Sequence, residues 1–173
     1  MNKSNALKVF YEWDNVGRYI FTLRDISKLF PDDKPKTLQA SVNRFVKDGI
    51  LKRAAKGVYV FGYARNTTYV IERVAIHLRR GEYSYVSLES ALSEYGAISQ
   101  IPVDRLTIMT SGRKGEHKTP YGVIEFTHTD KSQRQILQGT INSGRPLRYA
   151  KIETALRDLK RVGRNLHLLE EID

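Results

Sequence analysis

Between residues 23 and 61 the chain alternates in a way that few folds accommodate. Leu23, Ile26, Leu29 and Phe30 recur at helical spacing, with Thr22 before them as an N-cap. Pro31-Asp32-Asp33-Lys34-Pro35 then stops the helix with two prolines. Leu38, Val42, Phe45 and Val46 repeat the spacing over residues 36–48, and Gly49 ends that stretch. Two strand-like runs follow, residues 50–54 and 58–61, joined by a tight turn at Lys56-Gly57. Upstream lie a helix over residues 5–13, with Ala6, Val9, Phe10 and Trp13 on one face, and the strand-like Tyr19-Ile20-Phe21. Helix, strand, helix, turn, helix, hairpin is the order of a winged helix-turn-helix. Residues 1–65 are therefore expected to form a winged helix DNA-binding domain.

After the polar run from Tyr63 to Thr68 the pattern restarts, which places a domain boundary there and a second domain over residues 66–173. A helix over residues 69–80 carries Ile71, Val74, Ala75 and Leu78 on one face and closes at Arg79-Arg80-Gly81. The next helix is expected to be capped by Ser87, with Glu89 in its first turn, Leu88, Ala91, Leu92 and Tyr95 on one side, and Gly96 at its end. Strands over 106–110 and 122–129 flank a polar loop, 111–118, and a last helix covers 152–162 with Ile152, Ala155, Leu156 and Leu159 aligned. The expected class is α+β: a winged helix followed by a small domain of helices against a sheet.

Charge bears on the partner. The chain has 29 Lys and Arg against 19 Asp and Glu, a net charge of +10, and the first 65 residues hold 13 of those bases against 6 acids. Such an excess favours a polyanion, because releasing counterions from phosphates drives association. No apolar run is long enough to cross a bilayer, and Met1-Asn2-Lys3-Ser4-Asn5 leads into an amphipathic stretch without a signal peptide's apolar core. Cysteine is absent, which removes thiolate chemistry and fits a reducing cytoplasm, the expected location.

The helix over 36–48 is where this charge acquires a pattern. With its apolar stripe turned inward, Lys36, Thr37, Gln39, Ala40, Asn43, Arg44 and Lys47 are left for the outer side. Lys and Arg reach phosphates or guanine edges, Asn can hold adenine at two points, and Ala allows close approach or touches a thymine methyl. Lys52, Arg53 and Lys56 fall on the hairpin, where a wing meets the flanking backbone or minor groove. The bland alternative is a solvated helix face on a domain used for protein contacts.

Other constellations are weaker. Tyr59, Phe61 and Tyr63 beside Arg65 could stack bases, but aromatics at strand spacing more commonly build a core. The four histidines, at 77, 117, 128 and 167, lack metal-ligand spacing, and His128 shares a strand face with Ile124 and Phe126, as a half-buried histidine would. Ser111-Gly112-Arg113-Lys114-Gly115 lacks the spacing of a phosphate-binding P-loop. Asp104 with Glu116 and Lys118 is reminiscent of nuclease acids and lysine, yet Glu116 falls in a glycine-flanked loop rather than on a rigid sheet. No catalytic residue, metal or cofactor is expected.

Tyr85-Val86-Ser87-Leu88-Glu89-Ser90-Ala91-Leu92, running on to Gly96, resembles the signature helix of the AbiEi family of type IV antitoxins. Leu106-Thr107-Ile108-Met109-Thr110 with Gly112-Arg113 is similar to that family's next strand and turn, and Tyr149-Ala150 through Glu153, Ala155, Leu156 and Asp158 to its later helix, with Ile152 where proline is common. The resemblance implies an autoregulating repressor of an abortive-infection operon. Its winged helix would bind inverted repeats in double-stranded DNA, two copies of a solution monomer per operator. Its second domain would counteract a nucleotidyltransferase-fold toxin without a stable complex. On the last helix Arg157, Lys160, Arg161 and Arg164 lie off the apolar stripe and are the candidate antitoxin surface, a solvated basic face being the plainer alternative. A competing reading is a transcription factor whose second domain dimerises or senses a ligand.

Overall fold

In the computed structural model, which describes residues 1–98 and 104–169, local sequence signals explain most helix boundaries in the first part of the chain. The elements there are α1 (Lys3–Asn15), β1 (Ile20–Thr22), α2 (Leu23–Leu29), α3 (Pro35–Lys47), β2 (Leu51–Ala55) and β3 (Val58–Phe61). Thr22 caps α2 as expected. Its hydroxyl accepts from the Asp25 amide at 3.1 Å, while the Asp25 carboxylate accepts from the Thr22 amide at 2.8 Å, so two otherwise orphaned N–H groups are satisfied reciprocally. Pro35 opens α3 at a position whose N–H would have no helical partner anyway.

The three strands are antiparallel in the order β1-β3-β2. All four residues of the central strand β3 are buried. Phe10 of α1 closes the core over them, its ring 5.2 Å from Phe21, 6.0 Å from Phe30 and 5.7 Å from Phe61. Burying a side chain of that size contributes about 1.5–3 kcal/mol. Asp14, also buried, accepts from the Arg65 amide at 3.2 Å and ties down the chain after β3.

The chain divides into two compact units, Met1–Val70 and Ile71–Asp173. The later elements are α4 (Val70–Leu78), β4 (Ser84–Val86), α5 (Leu88–Glu94), β5 (Arg105–Thr110), β6 (Gly115–Thr119), β7 (Gly122–His128), α6 (Gln133–Gly139), β8 (Thr140–Ile141), β9 (Arg148–Ala150) and α7 (Ile152–Val162). Six strands form one mixed sheet in the order β6-β7-β5-β4-β9-β8, with β5/β7 and β4/β9 parallel and the other neighbours antiparallel. Helix α5 packs on α7 and on β5. Strands β4, β6, β8 and β9 and helix α6 went unread in the sequence. The second half of the polar loop expected over residues 111–118 belongs to β6, which pairs with β7 along its whole length. No helix among the described residues is long and apolar enough to cross a membrane.

Candidate nucleic-acid interface

Helix α3 sorts its residues by polarity. Leu38, Ser41, Val42 and Phe45 are buried, whereas Lys36, Thr37, Ala40, Asn43, Arg44 and Lys47 are exposed and Gln39 is intermediate. The exposed side chains hold each other only lightly. Gln39 Nε2 donates to Asn43 Oδ1 at 3.0 Å, one turn apart, Arg44 reaches the Met1 carbonyl at 3.3 Å, and its guanidinium lies 5.3 Å from the Phe45 ring centre. These contacts align the amide and the guanidinium on the solvent side without burying them. The outcome is a ridge with several hydrogen-bond donors and a small residue, Ala40, at its middle.

Lys52 and Arg53 are exposed on β2, an edge strand, and Lys56 is exposed in the turn to β3. The turn closes at Gly57, whose φ of +74° is a conformation most residues avoid. A register shift between Arg53 and Ala55 bends β2 just before it. Cations on a bent edge also discourage strand-to-strand aggregation, so their placement serves solubility as well as any ligand. The base-stacking alternative loses its platform: Tyr59 and Phe61 are 4% and 1% exposed, leaving only Tyr63 open, stacked on Tyr11 at 6.4 Å.

In the second unit the residues singled out by motif converge on one buried carboxylate. Asp158 of α7 is 3% exposed and accepts from the Tyr85 hydroxyl at 2.9 Å, the Ser87 hydroxyl at 2.7 Å and the Lys131 ammonium at 3.0 Å. Burial, together with the adjacent Asp158 carboxylate, pushes the Tyr85 phenol far above its ordinary range, so it stays a donor. The expected Ser87 cap is therefore a correction: its hydroxyl bonds Asp158 rather than the α5 backbone, because a buried carboxylate is the more demanding acceptor. Ser90 and Thr107 are linked twice, Ser90 N–H to Thr107 Oγ1 at 3.0 Å and Thr107 N–H to Ser90 Oγ at 2.9 Å. Thr107 Oγ1 also donates to the Ser87 carbonyl at 2.6 Å, beside Leu88, whose φ of +57° is unusual for a leucine.

Three further expectations change. Arg164 leaves the basic face: α7 ends at Val162, and Gly163, at φ +75°, turns the chain so that the guanidinium meets Glu89 at 2.8 Å and also Glu125. Hydrogen bonds donated to Glu89 raise the Arg164 pKa, and although burial opposes charging Glu89, bonds accepted from Arg164 and Asn165 hold its carboxyl below the usual range. His128 is exposed, not half-buried, because it ends β7, where it bonds the Gly112 carbonyl at 2.7 Å and Asp130 at 2.8 Å. Glu116 lies on the paired strand β6 rather than in a loop, and its carboxylate is taken up by Arg105 at 2.9 Å. Among the described residues no cluster of three or more His, Asp or Glu is arranged to hold a metal.

Arg157, Lys160 and Arg161 remain exposed on α7. Arg157 and Arg161 also border a half-open cavity of about 320 Å³ between α6 and α7, with Lys131, Gln138 and Gly139 on its walls and Asp158 at its floor. Sequence reasoning missed Lys131 and α6. The available signal was Ser132 followed three residues later by Gln135, which form a capping box at the start of α6.

No protein-family model matches the chain, and no curated protein does. A solved structure, the RV2827C protein from Mycobacterium tuberculosis, is similar with a TM-score of 0.51 at 15% identity, over 76% of this chain and 47% of that one. At that identity the likeness concerns fold alone, and this chain spans about half the length of that protein.

Proposed function

We propose that the chain is an autoregulating type IV antitoxin whose first unit is a winged helix-turn-helix that binds inverted repeats in its own promoter. The observation that carries the DNA reading is the coincidence of element order, β1-β3-β2 sheet order and an exposed polar ridge on α3, with Lys52, Arg53 and Lys56 on the adjacent hairpin. In this reading α3 enters the major groove and the β2–β3 hairpin is the wing. Asn43 and Arg44 read base edges, while Lys52 and Lys56 neutralise phosphate. The antitoxin part rests on the resemblance of the second unit's motifs, with Arg157, Lys160 and Arg161 as the surface that opposes a nucleotidyltransferase-fold toxin. A regulator whose second unit senses a ligand is the competing reading, favoured by the α6–α7 cavity.

Fluorescence anisotropy on the promoter tests the DNA reading. Asn43→Ala and Arg44→Ala should each cost about 1–3 kcal/mol and relax sequence preference, whereas Lys52→Ala should weaken all DNA alike and flatten the salt slope by about one unit. An affinity indifferent to salt, or a wing variant that alters sequence preference when the helix variants do not, would overturn it. Growth with and without the toxin gene then separates the functions. Arg157→Glu with Arg161→Glu should lose protection and keep repression, and protection retained by that folded variant would remove α7 from the antitoxin role.

A further inference from the structure

The α6–α7 cavity gathers hydrogen-bond donors that the fold uses only in part. Of its lining cations, Lys131 is the innermost. Its ammonium gives one bond to Asp158 at 3.0 Å and one to the Tyr85 hydroxyl at 3.4 Å, which leaves its third proton for the cavity. Arg157 donates through Nε to the Glu153 carbonyl at 3.3 Å, so its terminal amino groups are not needed there. Arg161 has only a loose pairing with Asp130 at 3.8 Å, both groups being well exposed. The single lining carboxylate, Asp158, is held on its inner side by Tyr85 and Ser87.

We infer that this cavity binds a small phosphate ester or polyphosphate, of the size of a nucleotide's phosphate chain, through Lys131, Arg157 and Arg161. Two guanidinium groups and an ammonium around one space suit an anion with several oxygens, because a guanidinium offers paired donors that match phosphate geometry. Gln138 also lines the cavity and carries a neutral amide donor. The walls carry no aromatic ring and no large aliphatic side chain, so the recognised part of the ligand is its charged group, not a base. A volume of about 320 Å³ lies at the small end of ligand sites, which run to about 1,000 Å³. Shape is set by backbone approach as well. A Cβ on Gly139 would lie 3.0 Å from Thr154 Oγ1, so the absent side chain lets α6 close against α7 at the cavity wall.

The inference specifies a ligand for the basic α7 surface but needs no toxin and no DNA, so its failure and that of the antitoxin reading are separable. Isothermal titration of the full chain with inorganic pyrophosphate and with ATP, and amide shifts followed by NMR, provide the test. Saturable binding is expected, with shifts centred on Gly139 and Thr154. Arg157→Gln with Arg161→Gln should weaken it at least tenfold, and Gln138→Glu, which adds a carboxylate to the wall, should do the same. Arg134→Gln with Lys114→Gln removes the same charge outside the cavity and should leave affinity within twofold. The inference is overturned by absence of saturable binding. Equal loss in the charge-matched control would also overturn it, as would an RNA oligonucleotide that shifts these amides when neither pyrophosphate nor ATP binds or displaces it.

Discussion

The two units handle charge in opposite ways. In Met1–Val70 the core is a cluster of aromatic and aliphatic side chains, and the cations of α3 and the β2–β3 hairpin face solvent with weak partners or none of opposite charge. In the second unit three carboxylates at 1–3% exposure are each matched to a cation: Glu72 to Arg145 at 2.8 Å, Glu89 to Arg164 at 2.8 Å and Asp158 to Lys131 at 3.0 Å. Each pair joins distant parts of the chain. The first unit leaves its charge available to an outside partner, while much of the second unit's charge joins its own elements. A basic residue is thus informative about binding only once its partners are known, as Arg164 demonstrates.

The largest expected effect follows from removing a buried charge. Asp158→Ala strands the Tyr85 and Ser87 hydroxyls and leaves Lys131 without its anion, so the second unit should lose about 3–5 kcal/mol. Removing Lys47 or Lys52 from the first unit should change stability by less than about 0.5 kcal/mol, since neither is buried. The single tryptophan, Trp13, reports the first unit by fluorescence, and resolved amide signals report the second. Urea titration of Asp158→Ala should move the second transition and leave the Trp13 transition in place. A common shift of both would show that the units do not unfold independently.

A smaller effect tests whether the motif tyrosine is structural. Tyr85→Phe keeps the buried ring and deletes one of three donors to Asp158. A hydrogen bond to a charged group contributes about 1.5–3 kcal/mol, so the loss should be smaller than that of Asp158→Ala and confined to the same transition. If Tyr85→Phe were as damaging as Asp158→Ala, the carboxylate would depend on that hydroxyl alone rather than on the trio.

The same contrast explains what the sequence made legible. Helices of the first unit are defined by contacts three and four residues apart, and Thr22, Pro35 and Gly49 punctuate them locally, so their order and faces can be read directly. Strands β4 and β9 have three residues each, too few to display an alternation, and their parallel pairing joins Tyr85 to Arg148 across more than sixty positions. Asp158 looked like one more polar residue on an amphipathic helix because its donors come from β4, the β4–α5 junction and the segment before α6. The motif resemblance did select Tyr85, Ser87 and Asp158, but only the fold supplies the reason they belong together.

The smallest expected effect sets two histidines of the second unit against each other. Burial, with Arg79 and Arg113 nearby, lowers the pKa of His117, whereas the Gly112 carbonyl and Asp130 raise that of His128. The unfolded reference is about 6.5 for both. A lowered folded value means that the native state binds the proton less readily, so the His117 contribution is present above the unfolded value and is lost as pH falls through the folded one. For His128 the sign reverses: its contribution is full below the unfolded value and disappears as pH rises through the higher folded one. Proton–carbon correlation spectra across pH 4–9 should therefore show His117 titrating on the acid side of His128. Asp130→Asn should pull His128 back toward the reference while leaving His117 unmoved. Unfolding titrations of His128→Gln should remove its share of the decline in second-unit stability as pH rises through the folded value, and His117→Gln its share of the decline as pH falls. Coincident midpoints for the two histidines would show that the hydrogen bonds to Gly112 and Asp130 do not persist in solution, and the exposed end of β7 would then be looser than its geometry implies.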